Sequence, residues 1–526
     1  MGQVTQIIGQ NDFSGGMNAV TEPYLITKKQ VARTRNMLLD QHGALVTRDG
    51  FTIAATSPDM TSPIIYHNVL NKTDGSSFPF AIQNDGNNNK FYNMLASPWA
   101  LVGSLNSYLT PQTATVTDLL VVANGYQTPL TWNGTGSLVP ITATGGQTVP
   151  PGANHLAFHL GSLWLWNTNQ TTTTLDGSSS LRMSDPNNIN SWPNANQTFV
   201  SKDDGQKGMG MSTFTIVETG ISPTATLVLF KNYSGYQFTG VLGSTTSTLQ
   251  QIKSDMGCIA PRTIQFCSGY GIIRMTHKGF ALYNGVDDKL ISEEIRPFIL
   301  GHDDIFPLNF AAIERSWAVQ AQNPPLYVAA CPVAGTGLNR IFVFDLVRRA
   351  WTICDFPVEF SSLTLYTAPS TQPTVRAGTS TRGWIVSLFE RAPTDNGQPI
   401  SWSFRSRAFF TKSYMQPTFW RRGILDLRIE DPQQATMTLN LGAIATTPSI
   451  TKQYLPLVGA GATYGSGIYG TSVYGTAGTS DVRQSFGIMR TAPNLFVDVS
   501  GTGNVRVRGL DFHVVAKKPT RMEVRV

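Results

Sequence analysis

The side chains in this sequence that could do acid–base or metal chemistry are few and scattered. His155 and His159 stand four apart. On a strand they share a face through the two-residue period, but no third ligand lies nearby in sequence to complete a metal site. Asp287, Asp288, Glu293, Glu294, Asp303 and Asp304 form an acidic stretch. Paired carboxylates can hydrolyse glycosides or gather calcium. The alternate-oxygen spacing of a calcium loop is missing here, and a solvated acidic face is the plainer reading. H-E-x-x-H, P-loop and G-x-S-x-G patterns are absent. The expectation is a protein that is not an enzyme and has no catalytic residues, metal or cofactor.

Cys258, Cys267, Cys331 and Cys354 have neither C-x-x-C spacing nor histidines paired nearby. They read as reduced, buried thiols of a chain made in a cytoplasm. The opening Met1 to Gln6 lacks a basic segment and an apolar core, so no signal peptide is expected. No run approaches 18 apolar residues, so stable membrane insertion is not expected either.

Charge is uneven along the chain. Residues 1–400 hold 24 Lys/Arg against 26 Asp/Glu, whereas residues 401–526 hold 15 against 7, so the net charge of +6 belongs to the C-terminal quarter. Arg421, Arg422, Arg428, Arg506 and Arg508 lie there on or near expected strands, and alternation puts Arg506 and Arg508 on one face. Arginine suits bidentate pairing with carboxylates and also phosphate contact. Neither interleaved aromatics nor a basic helix accompanies these residues, which favours protein docking over nucleic-acid binding.

Elements of a particular kind must position all these groups. Charged residues make up only 14% of the chain, while glycine (48) and proline (30) are plentiful, as in an all-β protein with many tight connections. From about Pro63 to Glu390 short apolar runs alternate with turn residues. Leu119–Ala123, Asn124-Gly125 and Leu130–Trp132 spell a hairpin, since Asn-Gly supplies the backbone such a turn needs. Residues 155–158 with 163–166, 227–230 with 235–239, 271–275 with 280–283, and 326–331 with 340–346 read likewise. Such units recur roughly every 40–50 residues, the spacing of four-stranded propeller blades. About six blades are expected over residues 63–392; two stacked β-sandwiches are the alternative. Glycan-cleaving propellers repeat an S-x-D-x-G-x-x-W turn. Ser201 to Gly208 has the Asp and Gly but lacks the Trp and does not recur.

Residues 393–526 have another texture, with alternation over residues 400–410 and strands at 423–429, 436–441, 494–499 and 505–515. They read as a β-rich platform domain that also receives the N-terminal segment, residues 1–62. Within that segment Thr27 could cap a short amphipathic helix over residues 28–39. Gly15-Gly16 and Gly43 supply chain reversals.

Two phrases in the segment carry a resemblance. The first is Phe13, Gly15 and Gly16. The second is Asn36 followed by G-x-L-x-x-R-x-G at Gly43, Leu45, Arg48 and Gly50. This layout resembles the start of tail nozzle proteins of short-tailed bacteriophages, also called tail tubular protein B or packaged-DNA stabilisation protein. Shorter similarities follow at Arg182, Ser184 and Pro186, at Lys231 to Gly240 (K-x-x-x-G-Y-x-F-x-G) and at Ile291 to Ile295 (I-S-x-x-I). The resemblance implies a structural virion protein made in the host cytoplasm. It implies a homohexameric ring below the tail adaptor that retains packaged DNA and forms the conduit for its ejection. Double-stranded DNA would pass transiently and without sequence preference, and tail fibres or tailspikes are further partners. Tyr464, Tyr469 and Tyr474, each followed by glycine, are then read as an extended loop gripping a neighbouring subunit or a fibre, against the plainer reading of a surface loop. The long polar stretch 171–180 is a candidate for narrowing the lumen. The competing functional reading is a carbohydrate-binding or glycan-cleaving propeller that recognises a host receptor.

Overall fold

The computed structural model describes residues 6–106, 110–168, 177–216, 224–302, 305–369, 371–429, 436–443, 446–454 and 480–516. It is an all-β protein in two parts, a β-propeller and a β-rich platform.

Seven four-stranded antiparallel sheets follow one another along the described chain. We number these blades 1 to 7: residues 64–105, 112–140, 155–199, 208–251, 265–290, 317–354 and 360–388. Blades 1 to 6 each use four consecutive strands. Blade 7 supplies three, and its fourth is Phe51–Thr56, paired antiparallel with Trp384–Leu388. The first strand of each blade is innermost, and the inner strand of blade 7 packs against that of blade 1, so the ring closes. A strand from before the ring thus completes its last blade, leaving no unpaired gap at the seam.

The expected count of about six is corrected to seven sheets, for a topological reason. The span 63–392 contains six whole sheets and three-quarters of another. The missing strand lies at 51–56, within the segment assigned to the platform.

Blades pack face to face through apolar clusters of alternating strand residues. Trp132 of blade 2 lies edge-on to Phe91 of blade 1 at 5.1 Å. Trp164 of blade 3 meets Phe238 of blade 4 at 5.2 Å, and Phe280 of blade 5 stacks on Trp351 of blade 6 at 5.1 Å. Each such ring buries some 150–250 Å² and adds a preferred geometry to the seam. The four cysteines are buried free thiols within this packing. Burial pushes them up, Cys258 to about 11 and Cys267, Cys331 and Cys354 to about 12, so they are inert fillers.

Buried cations also bind blades together. Lys231, at the end of a blade 4 strand, is fully buried. Its Nζ donates to Ser179 Oγ, Val200 O and Ser201 O of the blade 3 region and to Asp204 Oδ1 at 2.7 Å. Arg274 of blade 5 grips Asp288 with both Nη atoms at 2.9 and 2.6 Å and lies 4.1 Å over the Phe230 ring of blade 4.

The platform is two sheets around one apolar core. One contains Ser480–Ala492, Thr418–Ile429, Val505–Ala516, Leu45–Thr47 and Met37–Leu39, with Gln6–Gln10 on the far part of Val505–Ala516. The other contains Thr446–Tyr454, Thr436–Ala443, Phe496–Thr502, Ser401–Arg405 and Arg33–Arg35. Phe13, Val31, Met37 and Leu45 of the N-terminal segment share that core with Trp420, Leu425, Val499 and Phe512.

The expected helix over residues 28–39 is not formed. The stretch makes three short strands, Gln30–Val31, Arg33–Arg35 and Met37–Leu39, each paired with a different partner. Asn36 has φ 57°, a left-handed backbone that a helix cannot contain. Here tertiary pairing overrides local helical propensity.

Replacing Lys231 by Met should lower stability by about 3 kcal/mol, because the Asp204 carboxylate and three other oxygens lose their shared donor. Denaturant titration of the purified variant measures this. A loss under about 0.5 kcal/mol would show that the cation does not hold the blade 3–blade 4 seam.

Candidate functional site

The N-terminal phrases converge on the joint between platform and propeller. Phe13 is buried in the platform core, and Met17, four residues on, is buried in the core between blades 5 and 6. Between them Gly16 has φ 64°, and a Cβ there would sit 2.8 Å from Ala350 Cβ and 2.9 Å from Trp351 O. Only glycine lets the backbone lie so close to blade 6. Ala19 N donates to Glu294 O at 2.8 Å, and Gln30 Nε2 donates to Glu294 Oε1 at 2.7 Å. The I-S-x-x-I string therefore belongs to the same joint.

Arg48 is the centre of the joint. It is 1% exposed, and its five N–H donors meet five acceptors. Nη1 donates to Asp395 Oδ1 at 2.8 Å and to Asp49 O at 2.9 Å. Nη2 donates to Asp395 Oδ2 at 2.7 Å and to Asp355 O at 2.8 Å. Nε donates to Asn36 Oδ1 at 3.1 Å. The guanidinium lies 3.7 Å over the Phe356 ring. Asn36 Oδ1 also accepts from Asp355 N at 2.7 Å, and its Nδ2 donates to Ser401 O at 2.7 Å. Gly50 passes the 392–395 segment so closely that a Cβ would lie 1.9 Å from Thr394 O. One network thus ties the N-terminal segment, the link between blades 6 and 7, and the entry to the platform.

The other sequence candidates are dispersed. Arg421 and Arg422 are both exposed, because a register shift in Thr418–Ile429 breaks the alternation there. Arg506 and Arg508 do share one face. Arg506 Nη1 lies 3.2 Å from Asp40 Oδ2. Arg508 contacts Asp426 Oδ1 at 2.8 Å and Asp481 Oδ1 at 3.0 Å. These two arginines are engaged within the chain. Tyr464, Tyr469 and Tyr474 lie outside the described residues, as do Asp303, Asp304 and residues 171–176 of the polar stretch.

His155 and His159 sit at opposite ends of His155–His159, about 13 Å apart along the strand, too far to share one ion. Among the described residues no three His, Cys, Asp or Glu side chains gather as a metal site would require. Asp288 is held by Arg274, Glu294 by Gln30 and Asp287 by Lys289, so the acidic stretch is divided among separate structural contacts. Asp204 of the Ser201 to Gly208 string is bound to Lys231.

Sequence reasoning missed a cavity of about 660 Å³ on the propeller axis. It is lined from every blade, by residues including Ile65, Gln112, His155, Gly208, Arg262, Trp317 and Phe360. Lys207, Glu314, Arg315 and Glu359 are its exposed charges, with Lys207 Nζ 3.0 Å from Glu314 Oε1. Arg262 donates to Thr110 O and lies 5.3 Å over the Trp317 ring. Burial pushes its guanidinium down to about 10, still cationic at neutral pH. His155 is buried, and its Nε2 lies 3.0 Å from Gly208 O. Burial holds this imidazole down at about 3 and does the same to His67 of blade 1, whose Nε2 lies 2.7 Å from Thr364 Oγ1. No local motif announces the cavity, because its residues come from strand starts and links spread over some 250 residues.

No known protein family and no curated protein matches this sequence. Among solved structures, the chain is similar to BBS1N, solved in complex with ARL6DN and soaked with mercury, with 11% identity over 65% of this chain and 96% of that one and a TM-score of 0.40. It is also similar to the Neurospora crassa Pan2 WD40 domain (8% identity, 65% and 95% covered, TM-score 0.35). The N-terminal domain of Nup159 is a third (10% identity, 68% and 99% covered, TM-score 0.27).

Two outcomes are expected. Replacing Arg48 by Met should cost about 3–5 kcal/mol, since Asp395 is left buried without its partner, and Lys at that position should not restore the loss, having no fork to match the carboxylate. Calorimetric melts of the three proteins check this; full rescue by Lys contradicts it. The buried histidines set a pH dependence. Their folded pKa of about 3 lies below the 6.5 of the free side chain, so the unfolded chain takes up protons first as pH falls. Stability is complete above about pH 6.5 and declines toward 3, by about 1.4 kcal/mol per pH unit for each histidine. Melts at pH 6.5, 5.5 and 4.5 should show this decline, and a His67→Asn/His155→Asn variant should flatten it. An equally steep decline in that variant would rule out the assignment.

Proposed function

We propose that this chain is a structural subunit of a phage tail, a nozzle ring beneath the portal adaptor that retains packaged DNA and forms its exit conduit. The observation that carries the reading is where the resemblance residues lie. Phe13, Gly16, Asn36, Leu45, Arg48 and Gly50 are placed by packing and hydrogen bonding at the joint of two bodies. What the sequence shares with nozzle proteins is therefore the means of fixing a propeller to a platform. A ring under internal DNA pressure needs that rigidity in each subunit.

The axial cavity constrains how a conduit could be built. Its 660 Å³ cannot pass a duplex whose major groove alone is about 12 Å wide. In this proposal six copies surround the lumen, and DNA runs between subunits rather than through a propeller. The basic C-terminal quarter suits docking to an acidic face of the adaptor. The exposed Arg421 and Arg422 are better placed for it than Arg506 and Arg508, which have partners within the chain. Among the described residues no helix is long and apolar enough to cross a membrane.

Mass measurement in solution with the adaptor present, followed by negative-stain imaging, tests the proposal. A six-fold ring with an axial hole wide enough for duplex DNA is expected. A monomer that ignores the adaptor at micromolar concentration would remove the nozzle reading.

A further inference from the structure

The axial cavity has a polar chemistry that folding alone does not explain. Three buried polar atoms without a hydrogen-bond partner belong to its lining: Asn124 Nδ2, His155 Nδ1 and Arg262 Nε. Asn124 and His155 are 4% and 6% exposed. The three come from different places, blade 2, the inner strand of blade 3 and the short turn Pro261–Thr263 before blade 5. A buried polar atom left unpaired costs about 1–3 kcal/mol. Concentrating three around one cavity goes against stability, as a binding site does.

The chemistry of the three atoms defines what they would take. Asn124 Nδ2 and Arg262 Nε are donors, and Arg262 brings a positive charge. His155 is neutral, and its Nε2–H donates to Gly208 O, which leaves Nδ1 as an acceptor. An uncharged sugar would leave Arg262 without a counter-ion. A bare inorganic anion would offer nothing to His155 Nδ1. A carboxylate that also carries hydroxyl groups serves all three. The volume of about 660 Å³ lies within the 300–1,000 Å³ usual for small-molecule sites.

We propose that the axial cavity of the propeller binds a small hydroxylated carboxylate of the uronic-acid class. This inference does not rest on the nozzle reading. The ligand could arrive as a free sugar acid or as the end of an acidic glycan chain, since the recognised group is the same.

Titration calorimetry on the full chain tests it with glucuronate, glucose and sulfate, and with an oligosaccharide ending in glucuronate. Glucuronate should bind with a Kd below about 1 mM, and glucose and sulfate at least about tenfold more weakly. An oligosaccharide that binds more tightly than the monomer assigns the site to a glycan terminus; one that is excluded assigns it to the free acid. Arg262→Gln should weaken glucuronate binding by about tenfold or more. Should that variant fail to fold, the intact protein still decides. At 10 mM and matched ionic strength, glucuronate should raise the melting temperature where glucose and sulfate do not. Neither heat nor a thermal shift with glucuronate, or equal responses to sulfate, overturns the proposal.

Discussion

Arg48 and its five acceptors are the constraint on which the rest of the architecture depends. A fully buried guanidinium is tolerable only when every N–H is used and a carboxylate faces it squarely. Asp395 provides that carboxylate, and Asn36, Asp49 and Asp355 provide the remaining oxygens. These groups are separated by up to 347 residues in sequence. Their meeting at hydrogen-bond distance requires the propeller to close and the platform to assemble on it. The network therefore couples two cores that would otherwise be independent.

The N-terminal segment acts as a stitch through both bodies. It gives Phe13 to the platform core and Met17 to the propeller core, short strands to both platform sheets, and Phe51–Thr56 to blade 7. Ring closure and domain attachment are thus carried by one stretch of about 50 residues. The glycines in it are needed for proximity: at Gly16 and Gly50 backbone meets backbone, and a methyl group would collide.

Electrostatics in this chain serves cohesion before display. Lys231, Arg274 and Arg48 are buried and fork-bonded or multiply bonded, each across a boundary between structural units. The C-terminal arginines with same-chain carboxylate partners add little to stability, being partly exposed. Their surplus over acidic neighbours still marks that end of the molecule as basic. The axial cavity is the exception, since polar atoms there are held without partners.

The sequence by itself determined the all-β class, the hairpins and the texture of the platform. These follow from local rules: alternation fixes which side chains are buried, and Asn-Gly or Gly-Gly pairs fix where the chain turns. It also marked Arg48 and Gly16 as positions of note, without showing why. Only the tertiary structure decided the seventh blade, because its outer strand is borrowed from over 300 residues away and looks like any other short strand. Only it turned residues 28–39 into three strands, since each is stabilised by a distant partner rather than by its own period. The axial cavity was invisible for the same reason: Asn124, His155 and Arg262 carry no shared spacing, and a closed ring is what brings them together.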